Sequence, residues 1–161
     1  MTRYFPEYIL SMGEMKVTTE PSYITCFGLG SCVALFLFHA GRQIGGGIHL
    51  MVPENATGKS KLSSTCFVQP GIEALLKKFN DFGIKPESLN AKIIGGANLF
   101  IKLDNNIGQR NIQFTKEVLI KNKIYIKAMH TGGNYPRTVK FNTLSGMAAV
   151  TINGKEQASM I

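Results

Sequence analysis

At 161 residues the chain is long enough for one domain with a well-buried core. Its apolar fraction of 44% and charged fraction of 17% exclude a disordered chain, and no run reaches the ~18 consecutive apolar residues of a membrane-spanning helix. The net charge of +8 comes from scattered residues (Lys59-Ser60-Lys61, Lys77-Lys78, Lys121-Asn122-Lys123, Arg137, Lys140) with no interleaved aromatics, which argues against nucleic acid and suits an acidic protein partner.

The N-terminal residues Met1 to Glu7 lack a basic segment followed by an apolar one, so cytoplasmic residence is expected. Glu14 to Thr19 alternates and is rich in β-branched residues, which predicts a strand ended by Pro21-Ser22. Tyr23 to Phe27 is a second strand entering the glycine turn Gly28-Leu29-Gly30-Ser31. Cys32 to Phe38 is an uninterrupted apolar run, the pattern of a strand buried on both faces. Gln43 to Val52 pairs with it as a hairpin, its glycines at 45–47 allowing close approach of another backbone or a ligand, and Pro53 ends it.

A long polar loop, Glu54 to Ser64, precedes a helix whose apolar stripe is Ile72, Leu75, Leu76, Phe79 and Phe82. Pro70 suits the first turn of that helix and Gly83 the position just past its end, with a start one turn earlier also compatible. Ala91 to Ile94 is a short strand stopped by Gly95-Gly96. Asn105-Asn106 can cap a second helix over 107–122, with Ile112, Thr115, Val118 and Leu119 inward. Ile124 to Met129 is a strand, and Thr138–Phe141 with Met147–Ile152 form a terminal hairpin. These elements predict a single α+β domain over 1–161, a mixed sheet or sandwich with two main helices packed on one side. Residues 1–13 and about 153–161 are expected to be peripheral.

The chemistry concentrates in Gly28 to Pro53. If the two apolar runs are antiparallel neighbours, Cys32 and His49 can meet at one end of the sheet as nucleophile and base. The glycines allow a sharp turn that exposes the sulfur and aims backbone N–H groups from Gly30, Ser31 and Cys32 at an oxyanion. Gly95, Gly96, Gly132 and Gly133 sit in small-residue turns of the kind that line a cleft. No cofactor is expected: Val33 breaks a G-x-G-x-x-G fingerprint, and His39, His49 and His130 lack metal-site spacing. Three cysteines (Cys26, Cys32, Cys66) cannot all pair, and free thiols are expected.

With these pieces assembled, the sequence resembles the CheD family of chemoreceptor glutamine deamidases over about residues 14–152. The resemblance is carried, in the family's order, by Gly28-Leu29-Gly30-Ser31-Cys32-Val33 and Gly46-Gly47-Ile48-His49-Leu50-Met51-Val52-Pro53. Lys92-Ile93-Ile94-Gly95-Gly96-Ala97 with Phe100, Ile107-Gly108-Gln109-Arg110-Asn111, and Thr131-Gly132-Gly133 with Arg137 and Ser145-Gly146 complete it. It implies that Cys32 is the nucleophile and His49 the general base of a thioester mechanism acting on receptor glutamines or methyl-glutamates. It also implies a CheC-type phosphatase as a partner. The family's third residue is a threonine six positions before the cysteine; Cys26 stands there, with Thr25 one residue earlier. Neighbouring strand residues point to opposite faces, so Thr25 substitutes only across a bulge, and otherwise Cys26 or a backbone carbonyl orients His49. His130 is a second departure, since the family more often carries an acidic residue there. A non-catalytic adaptor that binds receptor or phosphatase is the alternative.

Overall fold

The apolar run after Cys32 becomes β4 (Val33–His39), the middle strand of a sheet and the layer on which everything else packs. The computed structural model describes residues 4–55, 57–100, 106–155 and 157–161. In chain order its strands are β1 (Glu7–Ile9), β2 (Met15–Thr18), β3 (Tyr23–Leu29), β4, β5 (Ile44–Leu50), β6 (Asn90–Gly95), β7 (Tyr125–Thr131), β8 (Arg137–Asn142), β9 (Ala148–Ile152) and β10 (Ser159–Met160). Helix α1 (Val68–Asp81) lies between β5 and β6, and α2 (Ile107–Lys121) between β6 and β7. One sheet has the order β1-β3-β8-β9-β10, the other β2-β5-β4-β6-β7.

Strand alternation divides β4 between two cores. Val33, Leu35 and Leu37 pack with Ile72, Leu75 and Phe79 of α1 and Ile112 and Leu119 of α2. Ala34 and Phe36 face the other way, into the space between the sheets, with Ile24, Leu29, Val139, Phe141 and Val150. The result is three layers, with both helices on one side of a two-sheet sandwich, as expected. Full burial of each such side chain stabilises by roughly 1.5–3 kcal/mol, so both faces of β4 are anchored.

The local signals act as their chemistry dictates. Helix α1 starts at Val68 with Pro70 in its first turn, and Gly83 follows its end at φ +74°. Of its stripe Ile72, Leu75 and Phe79 are buried and Leu76 is half-buried against the core, while Phe82 sits at the C-cap and is 39% exposed because the helix no longer carries it inward. Asn106 caps α2 by accepting from the Gln109 N–H at 3.0 Å; Asn105 lies outside the described residues. In β5, a Cβ on Gly46 would stand 2.7 Å from Val17 and 3.0 Å from the Phe79 ring, and one on Gly47 2.6 Å from Phe36. Core side chains approach these glycines, and so does backbone: the Lys16 carbonyl oxygen would stand 2.9 Å from a Cβ on Gly46.

The chain ends depart from expectation. β1 pairs in parallel with β3 (Glu7↔Tyr23, Ile9↔Thr25), and Leu10 is buried between the sheets. β10 pairs with β9, and Ile161 packs against the same core. Strands this short show no alternation to read.

Candidate active site

The turn that links β3 to β4 carries the chain from one sheet to the other, and Cys32 sits at that seam, half-buried against the inter-sheet core. The hairpin with β5 is antiparallel and places Ala34 opposite His49. Residues paired across strands share a face, and so do residues two apart. Cys32 and His49 therefore lie on the inter-sheet side as diagonal neighbours, with Cβ atoms roughly 7 Å apart by sheet geometry. No hydrogen bond among the described residues joins the thiol to the ring. Such contacts are often long in a free enzyme and tighten around substrate.

His49 is buried, and its Nδ1 lies 3.0 Å from the Leu10 carbonyl oxygen. A carbonyl can only accept, so Nδ1 carries the proton and the Nε2 lone pair is left free to act as a base. Burial lowers the imidazole pKa below its ordinary 6.5, against smaller opposing effects of the Leu10 carbonyl and Glu14. At neutral pH the ring is therefore neutral. Leu10 is itself fixed, its N–H donating to the Thr25 carbonyl at 2.9 Å, and the His49 carbonyl accepts from the Gly13 N–H at 2.7 Å.

Of the two side chains expected to steady the histidine, neither does. The Thr25 hydroxyl donates to Glu7 Oε1 at 2.6 Å, on the opposite face of β3. Cys26 is fully buried in the inter-sheet core, and its thiol is pushed up to about 12, first by burial and then by the neighbouring Cys32. It stays protonated and makes no hydrogen bond to His49. A backbone carbonyl from the N-terminal segment orients the ring instead. All three cysteines are free. Burial pushes the Cys32 thiol above its usual value, the Cys66 thiol adds to this, and its own backbone N–H opposes both. Cys32 is thus a thiol and His49 a neutral imidazole, and a thiol of this kind needs general-base removal of its proton to react.

The turn is pinned by its carbonyls. The Gly30 oxygen accepts from the Ala97 N–H and the Cys32 oxygen from the Gly96 N–H, both at 2.8 Å. The Ser31 oxygen accepts from Asn111 Nδ2 at 2.9 Å, and the same amide group donates to the Met51 oxygen at 3.0 Å. No peptide here is cis, and in a trans peptide N–H and C=O point in opposite directions. The N–H groups of Ser31 and Cys32 therefore point away from this anchorage, as oxyanion donors must.

Gly95 and Gly96 do not line an open cleft. They are buried behind the turn, at φ +113° and +65°, and a Cβ on Gly95 would overlap the Cys32 carbonyl. Gly132 donates to the Gly95 oxygen at 3.0 Å and Gly133 accepts from the Asn98 N–H at 2.8 Å, so this pair braces the same loop. Arg137 ties the cluster together. Its Nε donates to His130 Nδ1 at 2.9 Å and its Nη2 to the Gly132 oxygen at 2.7 Å. A neutral His130 thus supplies the acceptor that an acidic residue would supply, and burial and Arg137 both hold its pKa down.

A pocket of about 170 Å³ adjoins the turn, lined by Ser31, Ala97, Asn98, Leu99, Phe100 and Ile107 among others. A larger groove of about 480 Å³ lies elsewhere, against Pro53, Glu54, Phe67, Pro70, Glu73 and Phe114, and holds neither thiol nor imidazole. Among the described residues no three His, Cys, Asp or Glu side chains are gathered to hold a metal ion. Two contributors are not legible as site residues from the sequence, Leu10 and Asn111. Leu10 acts through a carbonyl and leaves no side-chain signature. Asn111 left a faint one, a polar residue on the inward face of α2 between Ile107 and Thr115.

The fold is a single domain in which one thiol lies on a glycine turn between two sheets and one imidazole on the adjoining strand. A family model described as CheD chemotactic sensory transduction matches residues 51–152. A protein named probable chemoreceptor glutamine deamidase CheD from Lachnoclostridium phytofermentans is 38% identical over 152 residues, covering 92% of this chain and 94% of its own. The CheD proteins named chemoreceptor glutamine deamidase from Thermotoga maritima (33% over 150 residues; 92% and 94%) and Halalkalibacterium halodurans (36% over 138 residues; 83% and 85%) match similarly. This chain belongs to the CheD family. The family model begins beyond Cys32 and His49, so matches along nearly the whole chain are what extend the relationship across the site segment.

Proposed function

We propose that this protein is a chemoreceptor glutamine deamidase, with Cys32 as nucleophile and His49 as general base. The observation that carries the reading is the His49 ring, held by its Nδ1 on the Leu10 carbonyl with Nε2 free, diagonal to Cys32 across the hairpin. His49 takes the Cys32 proton as sulfur attacks the side-chain amide carbon of a receptor glutamine. The oxyanion lies against the N–H groups of Ser31 and Cys32. The proton held on His49 passes to the amide nitrogen, the C–N bond breaks, ammonia leaves, and a thioester remains. His49 then removes a proton from water, which attacks the thioester. Sulfur leaves as the thiol, and glutamate is the product. No cofactor enters this balance.

The substrate side rests on the relatives' printed names. Receptor glutamines of this kind lie in the cytoplasm, which fits a chain whose described residues include no helix long and apolar enough to cross a membrane. The excess positive charge suits an acidic receptor surface. A CheC-type phosphatase is the second partner that the family relationship suggests.

Mass spectrometry of a receptor fragment incubated with the protein tests the reading, since replacing NH₂ by OH adds about one mass unit. Deamidation by the wild type and none by Cys32→Ala or His49→Ala is the expected result. Deamidation that persists in Cys32→Ala overturns the assignment of the nucleophile. Tight receptor binding without deamidation would make the protein an adaptor instead.

A further inference from the structure

We propose that Asn111 is a positioning residue of this site, the clamp that holds the nucleophile turn to the base strand and aims the Cys32 N–H at the oxyanion. The proposal rests on the deamidase reading and adds a residue to its machinery. Asn111 is fully buried on the inward face of α2. Its one amide nitrogen reaches two segments just beyond the end of the β4–β5 ladder: the Ser31 carbonyl, next to the nucleophile, at 2.9 Å and the Met51 carbonyl, two residues past His49, at 3.0 Å. A planar NH₂ has two donors set apart at a fixed angle, so one side chain spans both acceptors and locks their separation. The Ser31 carbonyl belongs to the same peptide plane as the Cys32 N–H, so gripping that oxygen sets the direction of the donor.

Packing alone gives no reason for an asparagine here. Its Oδ1 is buried without a partner, and so is Thr115 Oγ1 one turn along the same helix face. A leucine would fill the space between α2 and the sheet and remove the orphaned Oδ1, but it would take the donor away from the Ser31 and Met51 carbonyls. What only the amide does is join Ser31 to Met51. The positive-φ glycines Gly95 and Gly96 secure the neighbouring carbonyl of Cys32, but they do not touch the base strand. The β4–β5 ladder ends at Val33↔Leu50, and Asn111 carries the link between nucleophile turn and base strand past that end, from Ser31 to Met51.

The test compares Asn111→Leu and Asn111→Asp with the wild type, using the full chain and a receptor fragment. Asn111→Leu is expected to lower kcat about 100-fold, the scale of a misplacement near 1 Å, with KM changed by less than about 3-fold. Asn111→Asp sets an oxygen against two carbonyl oxygens. Its activity relative to wild type should rise as pH falls, because the protonated carboxyl regains one donor. Iodoacetamide labelling of Cys32, read by peptide mapping across pH, does not depend on any substrate. Asn111→Leu should slow it toward the rate of His49→Ala. Should the leucine variant not fold, Asn111→Ser, which leaves both carbonyls to water, carries the same comparison.

A folded variant with kcat and Cys32 labelling both within 3-fold of wild type overturns the proposal and makes the clamp a packing feature only. An equal rise in KM with unchanged kcat overturns it as well, since that places Asn111 in binding. If the wild type does not deamidate yet labelling slows in Asn111→Leu, the deamidase reading fails while the clamp stands.

Discussion

Replacing Cys26 by alanine separates the two accounts of how His49 is steadied. Cys26 occupies the position where the family pattern has a threonine, but here its thiol lies in the inter-sheet core and the Leu10 carbonyl holds the ring. Losing one fully buried heavy atom costs about 0.8 kcal/mol, on the scale of a methylene, and an incompletely collapsed cavity brings the total to ~1.5 kcal/mol. For a domain of this size that corresponds to a Tm decrease of about 3–6 °C. The catalytic consequence should be small, with kcat within about 3-fold of wild type, because the Nδ1 acceptor is backbone and stays in place. Thr25→Val is the paired control. It breaks the hydrogen bond to Glu7 on the outer face of β3 and leaves the Thr25 carbonyl on Leu10 intact. Thermal unfolding and initial deamidation rates, measured on both variants, decide the matter. A fall of about 30-fold or more in kcat for Cys26→Ala, at a Tm near the expected one, would refute the carbonyl and make the thiol the orienting group.

Glycine substitutions at the turn should divide by what each Cβ meets. Gly95→Ala combines strain of about 1–3 kcal/mol at φ +113° with overlap on the Cys32 carbonyl, and should cut Cys32 labelling and deamidation by more than about 10-fold. Gly28→Ala, at φ +60° with open space around its Cβ, should lower stability by only ~1–2 kcal/mol and leave activity in place, as urea unfolding and the same assays will record. The pH dependence follows from two histidines whose folded pKa values lie below 6.5, His49 and His130. Their neutral forms belong to the fold, so the stability they confer is complete above 6.5 and is lost as pH falls through the lowered values. Tm should drop between pH 7.5 and pH 5, and His130→Gln, which can still accept from Arg137, should flatten part of that drop. The acid limb of kcat/KM should fall below pH 6.5 and follow His49.

The parts of the fold that announced themselves are those whose neighbours are close in sequence or whose burial is two-sided. The β4 run, the α1 stripe and the Asn106 cap are legible because propensity, pattern and tertiary burial agree in each. Whether there was one sheet or two was not legible. β3 feeds β4 through a short turn, yet β3 pairs with β8, more than a hundred residues away, and not with β4. Nothing in Tyr23 to Phe38 says that the chain changes sheets at Gly30. The same seam explains why the site was half-readable. Cys32 and His49 sit on one hairpin, so local pairing was enough to bring them to the same face. The groups that align them come from the N-terminal segment and from α2.

That division bears on how the site works. A thiol and an imidazole placed diagonally across two strands are close but not aligned, and the hairpin alone leaves both the ring tautomer and the turn peptide free to vary. The tautomer is set by Leu10, whose position depends on β1 pairing with β3 through the Thr25 carbonyl. The turn peptide is set by Asn111, whose position depends on α2 packing against the helix side of β4. The two constraints reach the seam from opposite layers of the sandwich, one from the sheet–sheet core and one from the helix–sheet core. Loosening either layer should therefore misalign the pair before the domain unfolds. Conservative truncations, Leu10→Val and Ile112→Val, each costing about 0.5–1.5 kcal/mol, should lower kcat in the deamidation assay by more than their small Tm decrease accounts for, and an unchanged kcat in both would refute this reasoning.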